Sequence, residues 1–132
     1  MHIDNRAARY NYEILEKFEA GIDLLGPEVK SVRAGQVSLN ETFVHLRDGQ
    51  AYLINAHFHS CPPRPRKLLL HKKEILSLAG RIATSNLTLV PLAIYNKGNI
   101  FKLEVGMGKG KKKWDKREAI KKRELKRETF NF

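Results

Sequence analysis

The chain has a single cysteine, Cys61, so no internal disulfide framework holds it together and a reducing compartment suits it. It has no apolar run near the ~20 residues that a membrane-spanning helix requires. Its start, Met1-His2-Ile3-Asp4, has no apolar segment of the secretory kind, and the first motif follows too soon to leave room for a transit peptide. These absences predict a cytoplasmic protein, or a mature form from some other compartment. A Gly-rich phosphate loop, a nucleophile elbow and a paired His and Glu metal motif are all missing, which argues against an enzyme and against a cofactor. His57, His59 and Cys61 alternate and would share a face if a strand ran through them, but no clear fourth ligand lies nearby, so they read as polar strand-end residues and no metal is expected. No internal repeat is present.

What the chain has is positive charge, and it is concentrated. The 132 residues carry 25 Lys and Arg against 14 Asp and Glu, a net +11. From Lys109 to Arg127 there are 11 basic and 3 acidic residues, so these 19 positions hold +8 of the total while the rest is nearly balanced. Such a stretch repels itself and has too few apolar side chains for a core, so disorder is expected until it meets a polyanion. Lys and Arg gain affinity for nucleic acid mainly by releasing counterions condensed on phosphates. Asp115 and Glu118 have capping-box spacing, which predicts a helix starting there once the charge is neutralised. Trp114, set among lysines, suits stacking on a base or ribose. A solvated arm, a localisation signal or a membrane-surface anchor are the alternatives. The last is disfavoured, because Trp114, Ile120, Leu125 and Phe130 do not gather on one helix face.

The first 108 residues can bury one modest core. Asn5 to Tyr10 is a cationic leader of helix-compatible composition, and a frayed terminus is the usual fate of such a segment. Tyr12 to Glu19 reads as a strand; Ala20-Gly21 allows a bulge or a close approach, and the strand can resume through Ile22 and Leu24. Gly26 to Gly35 carries helix punctuation, with Val29, Val32 and Leu25 expected inward and Glu28, Lys30 and Arg33 outward. Thr42–Arg47 and Gln50–Ala56 flank Asp48-Gly49 as a hairpin. Cys61-Pro62-Pro63-Arg64-Pro65 is a break, and Arg66 to His71 a short strand. Lys72 or Lys73 to Thr84 is an amphipathic helix with Ile75, Leu76, Leu78, Ala79 and Ile82 on its apolar face. Leu87 to Tyr95 is a strand with an edge or bulge at Pro91, and Ile100 to Val105 another, after which Gly106, Gly108 and Gly110 loosen the backbone. The sum is a mainly β fold with two or three short helices, a small closed antiparallel barrel over 1–108 and a basic C-terminal tail over 109–132.

Five ordered stretches together resemble a known family: Glu16 to Ile22, Glu28 to Gly35, Leu53 to His57, Arg66 to Lys72, and Gly108 to Lys112 with Asp115 to Arg117. The family is small protein B, the bacterial SsrA-binding proteins, and the similarity covers almost the whole chain. The resemblance implies an oligonucleotide-binding-like barrel that holds the tRNA-like domain of transfer-messenger RNA and delivers it to stalled ribosomes for trans-translation. It implies a binding protein, monomeric on its RNA, without membrane, cofactor or chemistry of its own. Asn5, Arg6 and Tyr10 match the family's N-terminal RNA-contacting stretch. Glu28, Leu69 and Lys102 match positions tied to the tRNA-like domain, and Lys30, Arg33 and His71 fall in the same RNA-binding set. For Leu69 the competing reading is core packing, and for Lys102 a solvated strand face. Lys109, Gly110, Lys111, Lys112, Lys113, Trp114, Asp115, Lys116, Arg117, Lys121, Lys122 and Arg123 fall in the tail that the family uses at the decoding centre and in the empty mRNA channel. This chain departs from the family between His57 and Arg66, where only Phe58 to Pro65 replace a longer Asn- and His-containing loop. The alternative function is a structural ribosomal or general RNA-binding barrel.

Overall fold

Side chains that alternate between a buried and a solvated face direct a chain into strands, and in this protein, seen in a computed structural model that describes residues 2–110, the pairing runs round a closed ring. In chain order the elements are β1 (His2–Asp4), α1 (Arg6–Asn11), β2 (Tyr12–Ile22), α2 (Gly26–Arg33), β3 (Val37–Ser38), β4 (Phe43–Arg47), β5 (Gln50–Ile54), β6 (His57–Phe58), β7 (Arg66–Leu69), α3 (Lys72–Ser85), β8 (Thr88–Lys97) and β9 (Ile100–Gly110). Neighbours follow the order β8, β4, β5, β7, β2, β9, and β9 pairs back onto β8, so six antiparallel strands form the expected barrel. Closure leaves these strands without an open edge. β1 extends β8 outside the ring, and β3 pairs with β6 in a separate two-stranded ribbon.

Ala20, Leu103 and Ile94 lie opposite one another on β2, β9 and β8, and all three point into the core beside Leu53, Leu68, Leu89 and Met107. The hairpin of β4 and β5 is as expected. Asp48 and Gly49 have φ of 51° and 73°, the pair of left-handed conformations that a type I′ turn needs. Pro91, which cannot donate to a ladder, sits where the β8 register shifts before Ala93, so the bulge option is the one realised. Helix α3 also matches, with Ile75 and Leu78 buried, although Leu76 and Ala79 lie on its exposed side. Its last turn closes on Asn86 in the left-handed conformation, φ 52°.

Several expectations need correction. The N-terminal leader is docked rather than frayed. Asn5 is 3 % exposed; its backbone N–H donates to Leu92 O at 2.8 Å and its side-chain Nδ2 to Pro91 O at 2.8 Å and Leu39 O at 3.1 Å, so it satisfies the carbonyls that the β8 bulge leaves unpaired. Its Oδ1 accepts from Ala8 N at 3.2 Å and caps α1. In β2 the register shift falls between Ile14 and Glu16, and Gly21 is the close approach: a Cβ there would lie 3.2 Å from Leu69 Cβ. β6 ends at Phe58 and Ser60 turns with φ 59°, so His57, His59 and Cys61 share no strand face.

The glycines of β9 tighten the barrel instead of loosening it. The strand runs to Gly110 and pairs with β2 as far as Tyr12, so Lys109 and Gly110 belong to the sheet. A Cβ on Gly108 would stand 2.2 Å from the backbone oxygen of Glu13, whereas one on Gly110 would meet nothing within 4 Å. Expectations for Lys111 and everything after it, including the helix from Asp115, lie outside the described residues. Gly108→Ala should therefore force β2 and β9 apart and lower stability by about 1–3 kcal/mol, with Gly110→Ala near neutral. Denaturant midpoints of the two variants check this, and equal midpoints would show that the close approach is not needed.

Candidate nucleic-acid interface

Helix α2 spaces Glu28, Ser31 and Val32 by three and four residues, which puts them on one face, and that face is buried. Glu28 was expected outward with Lys30 and Arg33; only the other two are exposed, and Leu25, expected inward, is 56 % exposed. Glu28 is 2 % exposed because two arginines reach it from the break before β7 and from β7 itself. Its Oε1 accepts from Leu25 N at 2.8 Å and from Arg64 Nη2 at 2.6 Å, and its Oε2 from Arg66 Nε at 2.7 Å and Arg64 Nε at 3.2 Å. All the lone pairs of the carboxylate are thus occupied. Glu28 keeps its expected place in the first turn of the helix, but it has no acceptor left for a base or ribose.

Arg66 is 1 % exposed and more completely enclosed than its partner. Besides Glu28 it donates from Nη1 to Ala56 O at 3.1 Å and Arg64 O at 2.9 Å, and from Nη2 to Pro62 O at 3.3 Å. Its guanidinium lies 4.2 Å from the centre of the Phe58 ring. The side chain therefore gathers the carbonyls of the proline-rich break. Burial pushes the Glu28 carboxyl up, and the hydrogen bonds from Arg64, the Leu25 amide and Arg66, with the Arg66 charge, outweigh that and leave it below its ordinary 4.5.

A second group of predicted residues meets on the outer wall. Leu69, Gly21, Lys102 and Tyr95 face one another in register on β7, β2, β9 and β8, so their side chains project from the same face. Leu69 is 59 % exposed and lies against Gly21, which rules out core packing for it. Lys102 stands next in the row, half-buried. Tyr95 donates to Glu19, and Lys97 Nζ is 3.0 Å from Glu19 Oε2. Burial first, then the bond to Glu19, pushes the Tyr95 hydroxyl up to about 12, while those two donors hold Glu19 below its ordinary value. Arg33 sits 5.9 Å from the centre of the ring of Phe101, the residue before Lys102 in β9.

Arg6 and Tyr10 lie on α1, Arg6 exposed and Tyr10 half-buried, and His71 is exposed at the start of α3. Asn5 is not available as drawn from the resemblance, since both of its side-chain N–H groups are held by backbone carbonyls. Among the described residues Arg6, Lys30, Arg33, Lys67 and Lys102 have no carboxylate within 4.0 Å, whereas Arg9 pairs with Asp4 at 3.2 Å and Glu104 at 3.7 Å and Arg81 pairs with Glu16. The unpaired cations thus include four of the expected RNA-binding residues. Arg64 and Arg66 were missed by sequence reasoning. Their signal was the alternation of β7, in which Arg66 and Leu68 occupy the same face and only an arginine with a buried acid could stand there.

Removing one partner of a buried ion pair leaves the other charge uncompensated, so Glu28→Gln should cost about 3–5 kcal/mol at neutral pH. A carboxylate held below its ordinary pKa stabilises the fold above the unfolded value near 4.5, and that contribution fades as pH falls through the folded value. The difference in stability between wild type and Glu28→Gln should therefore shrink as pH drops below 4.5; urea titrations over that range check it, and a constant difference would contradict it.

The family model described as "SmpB protein" matches residues 2–131. An "SsrA-binding protein" of Microcystis aeruginosa is 53 % identical over 135 residues, covering 95 % of this chain and 88 % of that protein. The "SsrA-binding protein" of Mesoplasma florum is 49 % identical over 136 residues, covering 96 % of this chain and 91 % of that one. Among solved structures, a chain described as "tmRNA-SmpB: a journey to the center of the bacterial ribosome" aligns with a TM-score of 0.68 and 43 % identity, over 90 % of this chain and 94 % of that chain. With a closed barrel, a family model that matches residues 2–131 and relatives of half-identical sequence over nearly its full length, this chain belongs to the SmpB family of SsrA-binding proteins.

Proposed function

We propose that this protein binds the tRNA-like domain of transfer-messenger RNA and brings it to stalled ribosomes for trans-translation. The observation that carries this is the extent of the match: the family model runs through the barrel and on through the cationic tail, over residues 2–131. The barrel holds the folded RNA against Leu69, Lys102, Arg33 and Lys30, with Arg6 and Tyr10 of α1 and His71 of α3 as further contacts. Residues beyond the last strand engage the ribosome at the decoding centre and in the empty mRNA channel, through Lys111 to Lys113, Trp114, Asp115 to Arg117, and Lys121 to Arg123. Lys109 leads into them from the end of β9. The protein acts as a binding protein in the cytoplasm, without a chemical step of its own; among the described residues no helix is long and apolar enough to cross a membrane.

Because the last strand among the described residues runs to Gly110, a chain cut after that residue keeps every described strand of the barrel. It should retain most of its affinity for tRNA-like RNA and lose ribosome rescue, and Trp114→Ala in the full chain should weaken ribosome engagement by ~1–3 kcal/mol through lost stacking. Rescue assays with stalled ribosomes, together with competition between tRNA-like and random RNA at one salt concentration, test both assignments. Rescue by the truncated chain would overturn the role of the tail, and equal affinity for the two RNAs would favour a general RNA-binding barrel.

A further inference from the structure

Glu28, Arg64 and Arg66 carry one negative and two positive charges, and their geometry decides where the surplus lies. Arg66 is 1 % exposed and its charge is enclosed by Glu28, three carbonyls and the Phe58 ring. The Arg64 side chain is 33 % exposed, so the unbalanced charge of the cluster reaches water there. Arg64 uses its Nε and Nη2 edge on Glu28, at 3.2 and 2.6 Å. Its other edge makes only long bonds to neutral groups, Nη1 to Pro65 O at 3.3 Å and Nη2 to Asp23 O at 3.5 Å. A guanidinium has five N–H groups, so at least one is left without a partner.

We propose that the open edge of Arg64 binds a phosphate of the RNA backbone, with Glu28 holding the guanidinium in place from behind. The chemistry fits: a planar fork whose outer edge has weak neutral partners exchanges them readily for a doubly accepting phosphate. The position fits as well. Asp23, whose carbonyl Arg64 touches, bonds through its N–H to Lys67 O at 3.0 Å, and Lys67 is the exposed residue two before Leu69 on β7. Arg64 therefore borders the wall at Gly21 and Leu69, next to Lys67, which has no carboxylate within 4.0 Å among the described residues. Under this assignment Glu28 affects RNA binding as a positioning residue, through Arg64, and touches no nucleotide. That RNA is the source of the phosphate rests on the function proposed above.

The test uses the full chain and a tRNA-like RNA, with affinity measured across a salt series and thermal midpoints measured beside it. Arg64→Ala should weaken binding about tenfold and reduce the slope of log affinity against log salt by about 0.9, the signature of one lost phosphate contact. Arg64→Lys should keep the slope and lose part of the affinity, because an ammonium preserves the charge without the fork. Glu28→Gln should weaken binding with the slope unchanged, since the Arg64 charge remains but is no longer held. If Arg64→Ala lowers the midpoint yet leaves affinity and slope as in the wild type, Arg64 is only a counter-ion for Glu28 and the proposal fails. Phosphate contacts are independent of sequence, so the same series with random RNA gives the Arg64 result even if the wild type shows no preference for tRNA-like RNA; that lack of preference would count against the proposed function instead.

Discussion

A carboxylate and a guanidinium have been taken out of water together at the junction of α2, β6 and β7, and the surrounding structure follows from making that tolerable. Desolvating each ion costs several kcal/mol, which the attraction between them offsets only if their remaining hydrogen-bonding groups are also satisfied. Here Glu28 accepts four hydrogen bonds and Arg66 donates four, and the aromatic face of Phe58 covers the guanidinium. The donors and acceptors come from separate parts of the chain: the first turn of α2, the end of the β5 to β6 connection, and the break from Pro62 to Arg64. None of these segments is long enough to hold its shape by ladder bonds. Three prolines between Cys61 and Arg66 remove backbone donors from the last of them, so its order rests on carbonyls gathered by Arg66. The break before β7 is consequently a structured one.

A comparable device works at the β8 bulge. Pro91 interrupts the β8 ladder and leaves the carbonyls of Pro91 and Leu92 pointing away from their usual partners, and Asn5 takes both. That single residue ties the N-terminal segment to the barrel and begins α1. In each case a polar side chain expected from the resemblance to bind RNA is buried and serves the fold, while a neighbouring arginine is more exposed: Arg64 beside Glu28, Arg6 beside Asn5. Identity at such a position across relatives would report support of the surface as much as contact with RNA.

The barrel was legible in the sequence wherever pattern and local chemistry agreed. Asp48-Gly49 specified its turn through positive φ, Pro91 its bulge, and Ile75, Leu78 and Ile82 the buried side of α3. What escaped was tertiary in origin. Nothing local distinguishes Glu28 from Lys30 as the inward residue of a short helix; the choice depends on arginines 36 and 38 residues away. The glycines of β9 were misread because flexibility and close packing call for the same residue, and only the position of Glu13 O across the strand pair separates them. Leu69 stands exposed on its strand because Leu68 takes the core position beside it, so the alternation that buries one presents the other. β1 is three residues long and depends on β8 alone, too little pattern to register.

Ion pairing on the outer wall sorts its cations, and this bears on how the two parts of the chain divide their work. Arg9, Arg81 and Lys97 are matched by Asp4, Glu16 and Glu19, while Arg6, Lys30, Arg33, Lys67 and Lys102 are not matched among the described residues. Exposed pairs contribute only ~0–1 kcal/mol to stability, so their main effect is on the field around the protein. They cancel part of the charge of the barrel surface and leave the unmatched cations without a carboxylate within 4.0 Å among the described residues. A body so nearly balanced attracts RNA weakly at long range, and its contacts discriminate by position because each must be reached by a phosphate of the right fold. The segment from Lys109 to Arg127, with +8 in 19 residues, has the opposite character: strong attraction that depends little on the arrangement of the phosphates it meets. Selection of a folded RNA and attachment to the much larger polyanion of the ribosome make conflicting demands on charge density. Under the proposed function the barrel and the segment from Lys109 meet these demands separately, so that neither weakens the other.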